Sequence, residues 1–324
     1  MSVEREKIFN FMKKKNILIT GAAGYLGSII ATKLVNLGHH VTAVDIIKYD
    51  KNSLSHLFYF DNFKFLKEDI TEEKVVKKIV KNQDIIIPLA ALVGAPLCEK
   101  FKKNTIKTNV KAIEILLKNI KKKQKIIYPT TNSGYGIGEK NKFCDETSPL
   151  KPVSLYGTTK VKAEELIIKN GNSICFRLAT VFGYSYRMRT DLLVNNFVER
   201  AVKTKKLEIF EPHFRRNYIH VKDIVDAFVF AINNFEKLKD NIYNLGLSSA
   251  NITKIQLARK IKKHIKDLDI KIIKNRKDPD KRDYFVSNRK IEKHGFKARV
   301  SLDTGIKELI KIFSYCDIKF KNNY

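Results

Sequence analysis

One segment near the start of the chain, residues 16–45, constrains the fold more strongly than any other part of the sequence. Asn16–Thr20 is an apolar run typical of a buried strand, and Gly21–Gly27 follows it as a turn with glycines at its first, fourth and last positions. The next residues have the apolar spacing of a helix, and His40–Val44 is predicted as a second strand, followed by Asp45. Strand, glycine turn, helix, strand and acid in this order predict a dinucleotide-binding βαβ unit.

The glycine turn and the acid each have a physical role in such a unit. Glycine allows a tight turn and a close approach of the backbone to a pyrophosphate, whose charge then lies at the N-terminus of the following helix. Asp45 stands at the carboxyl end of a strand, where a carboxylate accepts hydrogen bonds from ribose hydroxyls and repels a 2′-phosphate. NAD is therefore predicted rather than NADP. The residues predicted to contact it here are Gly21, Ala23, Gly24, Tyr25, Leu26 and Asp45.

Further along the chain, short apolar runs alternate with lysine-rich helical patterns, which predicts an α/β fold of Rossmann type with a doubly wound parallel sheet. Strands are expected at residues 63–66, 84–88, 125–129 and 173–178, and helices at residues 74–80 and 105–120. Ligands of such sheets bind beyond the carboxyl ends of the strands. This position adds Asp69, Ile70, Leu89, Ala90 and Ala91 to the predicted cofactor contacts.

Tyr156 and Lys160 begin a predicted helix with the spacing i and i+4, so both side chains lie on one helix face. A free tyrosine has a pKa of about 10 and is a poor base at neutral pH. A neighbouring ammonium and the positive nicotinamide of NAD+ would both lower the pKa of Tyr156. The pair is therefore predicted to remove a proton from a hydroxyl while hydride leaves the same carbon.

The charge of the chain is strongly basic, because 63 Lys and Arg against 34 Asp and Glu give a net charge of +29. The basic residues are mostly lysines spread along the whole chain, without the arginine and aromatic interleaving of a groove that stacks bases. We therefore expect no nucleic-acid partner. An anionic small-molecule substrate fits this charge equally well.

Three other classes of feature are not expected in this sequence. No apolar stretch reaches the roughly 18 residues that a membrane-spanning helix needs, and the N-terminus does not resemble a secretory signal, so a cytoplasmic protein without membrane association is expected. The four cysteines form no CxxC pair and the seven histidines no HExxH motif, so we predict no catalytic metal.

Together these motifs resemble the extended short-chain dehydrogenase/reductase family, in particular its nucleotide-sugar epimerases and dehydratases, over nearly the whole chain. The resemblance rests on the glycine motif, the acid after the second strand, the Leu-Ala-Ala segment, Asn109, Thr131 and the Tyr156/Lys160 pair. It implies that Tyr156 is the catalytic base, that Lys160 holds the nicotinamide ribose, and that Thr131 shares the proton of the sugar hydroxyl. Asn109 is included among the cofactor residues in a structural or supporting role.

The same resemblance implies the substrate contacts. Arg216 would contact the substrate diphosphate, a role that suits a planar guanidinium because it can bind phosphate through two hydrogen bonds. Asn195 would contact the diphosphate or the sugar, and Arg282 would close over the nucleotide. Val93 and Asn132 complete this group of predicted substrate contacts. A surface salt bridge is the alternative role for the two arginines.

The chain departs from the family's dehydratases directly after Thr131. Those enzymes have an acidic pair there, whereas this chain has Asn132 and Ser133, neither of which can act as a carboxyl acid or base. A 4,6-dehydratase is therefore disfavoured, and hydride removal at C4 of the sugar remains. Release of the ketone by a 4-dehydrogenase is favoured, and return of the hydride to the other face by a 4-epimerase is the alternative. A non-catalytic NAD-binding regulator ranks third, because it would not need Thr131, Tyr156 and Lys160 together.

Two short segments, residues 88–99 and 187–191, are similar to a subgroup of the family that acts on GDP-linked heptoses for surface polysaccharides, including 4-dehydrogenases. This similarity implies a GDP-sugar substrate. Arg187 and Arg189 would then bind an anionic or hydroxyl-rich part of it, with exposure to solvent as the alternative.

The predicted organisation has two domains with the active site between them. Residues 14–182 and 217–245 are expected to form the NAD-binding domain, and residues 183–216 and 246–324 a smaller C-terminal α/β domain that binds the nucleotide sugar. The resemblance also implies a homodimer that pairs through helices at residues 104–122 and 156–170.

Overall fold

The computed structural model describes residues 13–139, 142–274, 282–316 and 322–323. Its strands, in chain order, are β1 Asn16–Thr20, β2 His40–Asp45, β3 Phe63–Lys67, β4 Ile85–Pro88, β5 Lys125–Thr131, β6 Phe143–Cys144, β7 Ser173–Leu178, β8 Thr180–Phe182, β9 Lys206–Ile209, β10 Arg215–His220, β11 Asn241–Leu245, β12 Asn251–Thr253, β13 Asp269–Ile272 and β14 Phe285–Val286.

The α-helices are α1 Tyr25–Asn36, α2 Glu73–Ile79, α3 Ala95–Lys100, α4 Lys102–Ile106, α5 Ala112–Asn119, α6 Leu155–Asn170, α7 Leu193–Thr204, α8 Val221–Asn233, α9 Phe235–Leu238, α10 Lys254–His264, α11 Arg289–Lys293 and α12 Leu302–Tyr315. Short 3-10 turns lie at Ser55–Leu57, Asn132–Tyr135 and Ser248–Ala250, and one π-helical turn at Lys107–Lys111. In the described part of the chain, no helix combines the length and the apolar character needed to cross a membrane.

A seven-stranded sheet with the order β11-β7-β5-β4-β1-β2-β3 forms the centre of the molecule, and every pair of neighbours in it is parallel. Its central strands are buried on both faces, as Ile17, Leu18 and Ile19 in β1 are completely inaccessible to solvent. Such continuous burial explains the uninterrupted apolar runs of the sequence, because helices cover a parallel sheet from both sides. The predicted Rossmann fold with a doubly wound parallel sheet is confirmed.

A second group of small sheets follows in the chain. Strand β10 pairs in parallel with β8 and antiparallel with β12, while β13 pairs with β9 and β14 with β6. Strand β8 begins two residues after β7 ends, so a single residue connects the large sheet to the small one. The division into residues 14–182 with 217–245 and residues 183–216 with 246–324 stays a prediction, and part of its second domain lies outside the described residues.

The predicted helix at residues 105–120 differs from the structure. Instead of one α-helix, the chain forms the end of α4, a π-helical turn at Lys107–Lys111, and then α5. A π turn contains one more residue than an α turn and rotates the following side chains relative to the helix axis. Its consequence is seen at Asn109, which lies in this turn.

Candidate active site

Most of the predicted site residues converge on one cavity of about 850 Å³ at the carboxyl ends of β1, β2, β4, β5 and β7. Nineteen of them line it: Gly21, Ala23, Gly24, Tyr25, Leu26, Asp45, Asp69, Ile70, Leu89, Ala90, Ala91, Val93, Thr131, Tyr156, Lys160, Arg187, Arg189, Arg216 and Arg282. Asn109, Asn132 and Asn195 are not part of the cavity wall. The structure therefore brings together the predicted cofactor, catalytic and substrate residues in one cavity, with three exceptions.

Asn109 lies behind the cavity rather than in it, which corrects its placement among the cofactor contacts. Its amide oxygen accepts from Leu92 N at 2.8 Å, and its amide nitrogen donates to Leu92 O at 2.9 Å and to Thr159 Oγ1 at 3.2 Å. The side chain is 1% exposed. Asn109 thus ties the segment after β4 to helix α6, which is the supporting role that the sequence allowed for it.

Asn195 and Asn132, which the sequence predicted as substrate contacts, are likewise not part of the cavity wall. Asn195 is completely buried, accepts from Gly183 N at 3.0 Å and donates to Arg189 O at 2.9 Å, so its amide holds the loop before α7. Asn132 is 1% exposed in the 3-10 turn after β5, and neither atom of its amide has a hydrogen-bond partner among the described residues. Both side chains are buried and lie outside the cavity wall.

The glycine turn fits a dinucleotide. Gly21 has φ +68°, and a Cβ there would lie 2.6 Å from Ala90 N. The glycine turn and the segment after β4 are therefore too close together for any residue but glycine at this position. Helix α1 begins at Tyr25, directly after Gly24, and no side chain caps it. Its first N–H groups are therefore available to an anion at the cavity wall, as the diphosphate of a dinucleotide requires.

Asp45 links the glycine turn to the loop after β2. Its Oδ2 accepts from Ala23 N at 3.0 Å and its Oδ1 from Ile47 N at 2.7 Å. Burial raises the pKa of this carboxyl, and these backbone N–H groups and the Arg187 guanidinium oppose the shift. Each carboxylate oxygen has a further lone pair, so Asp45 can still accept from ribose hydroxyls.

Helix α6 carries Tyr156 and Lys160 and is fixed at two points. At its start the Ser154 hydroxyl accepts from Gly157 N at 3.2 Å and caps the helix. In its middle Glu164 forms a buried ion pair with Arg177 of β7, with 2.7 Å between Oε1 and Nη2. Removing one member of a buried pair costs about 3–5 kcal/mol, so this contact holds the helix firmly against the sheet.

Tyr156 meets Thr131, at the end of β5, in the cavity. Burial raises the pKa of Tyr156 above its usual value, and the Arg282 charge, the neighbouring Thr131 side chain and the Arg189 charge oppose this shift only in part. The Thr131 hydroxyl also lies 2.8 Å from Ser133 Oγ. The sequence assigned the pKa-lowering role to Lys160, whereas in this structure the cations that act on the phenol are Arg282 and Arg189.

Lys160 is buried and directs its ammonium towards another tyrosine. Its Nζ donates to Tyr128 Oη at 2.5 Å and lies 3.9 Å from the centre of the Tyr128 ring. Burial lowers the pKa of Lys160 to about 7. The ammonium thus lies in a weakly solvated place on the cavity wall. A hydrogen bond between it and a ligand hydroxyl would be strong there.

Replacing Lys160 by Met is expected to remove a pH-dependent cost from the folded chain. A lysine in an unfolded chain titrates at about pH 10.4, so the folded state disfavours the ammonium. That cost is complete below about pH 7 and disappears as the pH rises towards about 10.5. In thermal unfolding without cofactor, the stability of Lys160→Met relative to the parent chain should be on the order of 2 kcal/mol higher at about pH 6 than at about pH 9.

Lys162→Met is the matched control for this measurement. Lys162 lies on the same helix, but its side chain is 57% exposed and 3.6 Å from Glu165. Its replacement should leave the pH dependence of stability unchanged. If the stability difference for Lys160→Met were equal at both pH values, the burial of the charge would be contradicted.

The predicted substrate arginines occupy different parts of the wall. Arg282 donates from Nη1 to Ser133 Oγ at 2.5 Å, which places it beside Thr131. Arg216 is 2% exposed and donates from Nη1 to Arg215 O at 2.9 Å. Arg189 is paired with Asp191. Arg216 and Arg282 thus add positive charge to the cavity wall, whereas the charge of Arg189 is offset by Asp191.

Several cavity residues have no signal in the sequence. Phe210 and Lys254 both line the wall that also contains Arg216, with Lys254 Nζ 4.8 Å from the centre of the Phe210 ring. Thr180, Asn196 and other residues of the small sheets and α7 contribute to the same surface. These residues belong to separate elements without a common spacing, so only the fold brings them together.

The comparisons with known proteins agree with this geometry. The model of the NAD dependent epimerase/dehydratase family matches residues 17–246. The chain is 29% identical over 91% of its length to the trifunctional UDP-glucose 4,6-dehydratase/UDP-4-keto-6-deoxy-D-glucose 3,5-epimerase/UDP-4-keto-L-rhamnose-reductase RHM2 of Arabidopsis thaliana, covering 46% of that protein. It is 25% identical to the human dTDP-D-glucose 4,6-dehydratase, with 92% of this chain and 89% of the relative covered.

Among solved structures, the chain is similar to the UDP-glucose 4-epimerase of Thermotoga maritima with UDP-glucose. The TM-score is 0.81 at 25% identity, with 92% of this chain and 98% of that chain covered. The chain spans about half the length of the first curated relatives that it matches, the trifunctional plant proteins. The family match covers well over half of the sequence and includes the glycine turn, Tyr156 and Lys160. The chain is therefore an enzyme of the NAD dependent epimerase/dehydratase family.

Proposed function

We propose that this enzyme is a cytoplasmic 4-dehydrogenase that oxidises C4 of a nucleotide-activated sugar, with a GDP-linked heptose favoured, for surface-polysaccharide synthesis. The observation that carries the proposal is the group at the carboxyl end of β5. There Thr131 and Tyr156 both line the cavity, and Arg282, bound to Ser133, adds a positive charge beside them. This group can remove a proton from a sugar hydroxyl.

In the proposed reaction, Tyr156 takes the proton of the C4 hydroxyl through its phenolate oxygen. Thr131 shares that proton and orients the hydroxyl, while Arg282 and Arg189 favour the phenolate. When bound, NAD supplies the acceptor for the hydride that leaves C4. Lys160 would hold the ribose of the cofactor from the cavity wall. Arg216 and Lys254 would bind the diphosphate of the substrate, with the Phe210 ring lining the same wall.

The residues after Thr131 argue against elimination of water. Asn132 and Ser133 take the place of the acidic pair of the dehydratases, and Ser133 Oγ is bound to Arg282 and Thr131. No carboxyl group from this turn is available as acid or base for a dehydration step. The 4,6-dehydratase activity of several relatives is therefore not proposed for this chain.

A 4-epimerase is the second candidate, supported by the name of the Thermotoga maritima structure. Both candidates need the same proton and hydride removal, and they differ in the fate of the 4-keto sugar. A non-catalytic regulator is the third candidate, and it would not require Thr131, Tyr156 and Lys160 together at the cavity.

The test is to mix the NAD-loaded protein with a panel of GDP-, UDP- and dTDP-sugars, including a GDP-heptose, and to follow reduced-nicotinamide absorbance and the sugar products. Stoichiometric and lasting reduction with a keto sugar is expected for the 4-dehydrogenase. Little net reduction together with a new stereoisomer would replace it by the 4-epimerase. Absence of any sugar product across the panel would contradict both.

The same preparation also tests the assembly that the family resemblance implies. We propose a homodimer through the stretch from α4 to α5 and helix α6, where Ile106 has 44% of its surface exposed. Sedimentation should give the mass of two chains, and the mass of one chain at micromolar concentration would contradict it.

A further inference from the structure

Residues 183–189 form a strap across the start of helix α1. The Tyr25 hydroxyl donates to Gly183 O at 2.7 Å, and the Ser185 hydroxyl donates to Tyr25 O at 2.6 Å. Ser185 Oγ also lies 3.1 Å from Ser28 Oγ. The strap is therefore fastened to the first turn of the helix that follows the glycine turn, which is the place where the fold receives a diphosphate.

Arg187 in this strap is a buried cation without a hydrogen bond among the described residues. It is 2% exposed, its Nη2 is completely inaccessible, and its guanidinium carbon lies 4.5 Å from the centre of the Tyr49 ring. Its neighbour Arg189 is bound to Asp191. Burial, and next the charge of Arg189, lower the pKa of Arg187.

Such an arginine needs an acceptor. A guanidinium carries five N–H donors, and a buried donor without a partner costs free energy that a bound anion recovers. The carboxylate of Asp45 acts on Arg187 electrostatically, but no hydrogen bond joins the two side chains, and the Asp45 oxygens accept from backbone N–H groups of Ala23 and Ile47. Arg187 lines the same cavity as Gly24, and its charge acts on both Asp45 and Tyr49. Arg187 therefore lies on the side of the cavity that contains the glycine turn.

We propose that Arg187 binds the diphosphate of the NAD cofactor and is not a substrate residue. The diphosphate would lie between the N-terminus of α1 on one side and the Arg187 guanidinium on the other. The strap would thereby hold the cofactor in place through repeated turnover. This inference rests on the family's use of NAD and not on which sugar the enzyme oxidises.

The test is a binding measurement on the protein without sugar. NADH is titrated by its own fluorescence, because the chain contains no tryptophan, and ADP, adenosine and GDP are used as competitors. Arg187→Met should weaken NADH and ADP about tenfold or more, since charge-assisted hydrogen bonds to phosphate are lost. Adenosine has no phosphate, so its dissociation constant should be the same for the variant and the parent chain. Each constant is obtained from competition with NADH, using the NADH affinity of that protein.

Arg200→Met is the matched control. Arg200 lines the same cavity, but its side chain is 44% exposed and 3.9 Å from Glu208. Its replacement should leave the affinities for NADH and ADP unchanged. Thermal unfolding of each variant shows whether Arg187→Met is folded. If it folds poorly, Arg187→Lys takes its place in the test, and because this variant retains the charge it should keep part of the ADP affinity.

Two results would overturn the proposal. Unchanged NADH and ADP affinity with weaker GDP binding would place Arg187 at the substrate. An equal loss for ADP and adenosine would mean that Arg187 supports the cavity and does not contact phosphate. Because no sugar is present, either result leaves the proposed oxidation at C4 untouched.

Discussion

Tyr156→Phe is expected to lower the rate of hydride transfer by about 10² to 10⁴-fold while NAD remains bound. The substitution removes the oxygen that accepts the proton of the sugar hydroxyl, and general base catalysis contributes a factor of this size. The ring that packs at the start of α6 is retained, so the cavity and the cofactor site keep their shape. The measurement is the rate of reduced-nicotinamide formation after mixing NAD-loaded protein with the nucleotide sugar that the panel identifies.

Tyr128→Phe provides the control for this experiment. Tyr128 is also a buried tyrosine, and its hydroxyl accepts from Lys160 Nζ, but it does not line the cavity. This variant should retain readily measurable hydride transfer. Turnover of Tyr156→Phe at the rate of the parent chain would show that another group is the base.

Gly27→Ala is expected to destabilise the folded chain by about 3 kcal/mol or more and to abolish NADH binding. A Cβ at this position would lie 2.3 Å from Gly21 O and 2.7 Å from Ala22 Cα, well inside the distances that carbon atoms tolerate. Gly21 cannot move away, because it already lies against Ala90 with φ +68°. The helix and the first strand would have to separate, and the diphosphate site between them would be lost.

Gly171→Ala separates the effect of this clash from the general effect of replacing a glycine. Gly171 ends helix α6 with φ +78° and ψ 178°, and a Cβ there would have its nearest neighbour at 3.9 Å. The variant should lose about 1–3 kcal/mol for the strained backbone alone and should bind NADH normally. Thermal unfolding and NADH titration measure both variants. Parental stability and affinity in Gly27→Ala would mean that the turn is less tightly packed than the structure indicates.

The central sheet could be predicted from the sequence because its signals are local. The strand at Ser173–Leu178 was predicted with the bounds found in the structure, and the strand at Asn16–Thr20 likewise. The helix at residues 105–120 was predicted without its π turn, because a pattern of apolar spacing contains no information on one extra residue in a turn. That turn is what directs Asn109 towards Leu92 and away from the cavity.

The candidate site was predictable where a residue follows a strand or a glycine turn, since the fold itself places such residues at the cavity. It was less predictable in the loop between β8 and α7. There Arg187 and Arg189 stand two positions apart, yet one is bound to Asp191 and the other faces Tyr49. The Asn195 amide accepts from Gly183 N, and these residues are twelve positions apart, so no short sequence motif predicts the contact. Side-chain directions in irregular segments depend on tertiary contacts, and no local sequence pattern predicts those contacts.

The most direct test of this account is whether hydride moves from C4 of the sugar to the bound cofactor. The nucleotide sugar that the panel identifies is prepared with deuterium at C4, mixed with NAD-loaded protein in a single turnover, and the released cofactor is examined by mass spectrometry. The account predicts deuterium in the reduced nicotinamide of the parent chain and, within the time of one parental turnover, none above background with Tyr156→Phe. A keto sugar formed without deuterium in the nicotinamide would contradict oxidation at C4.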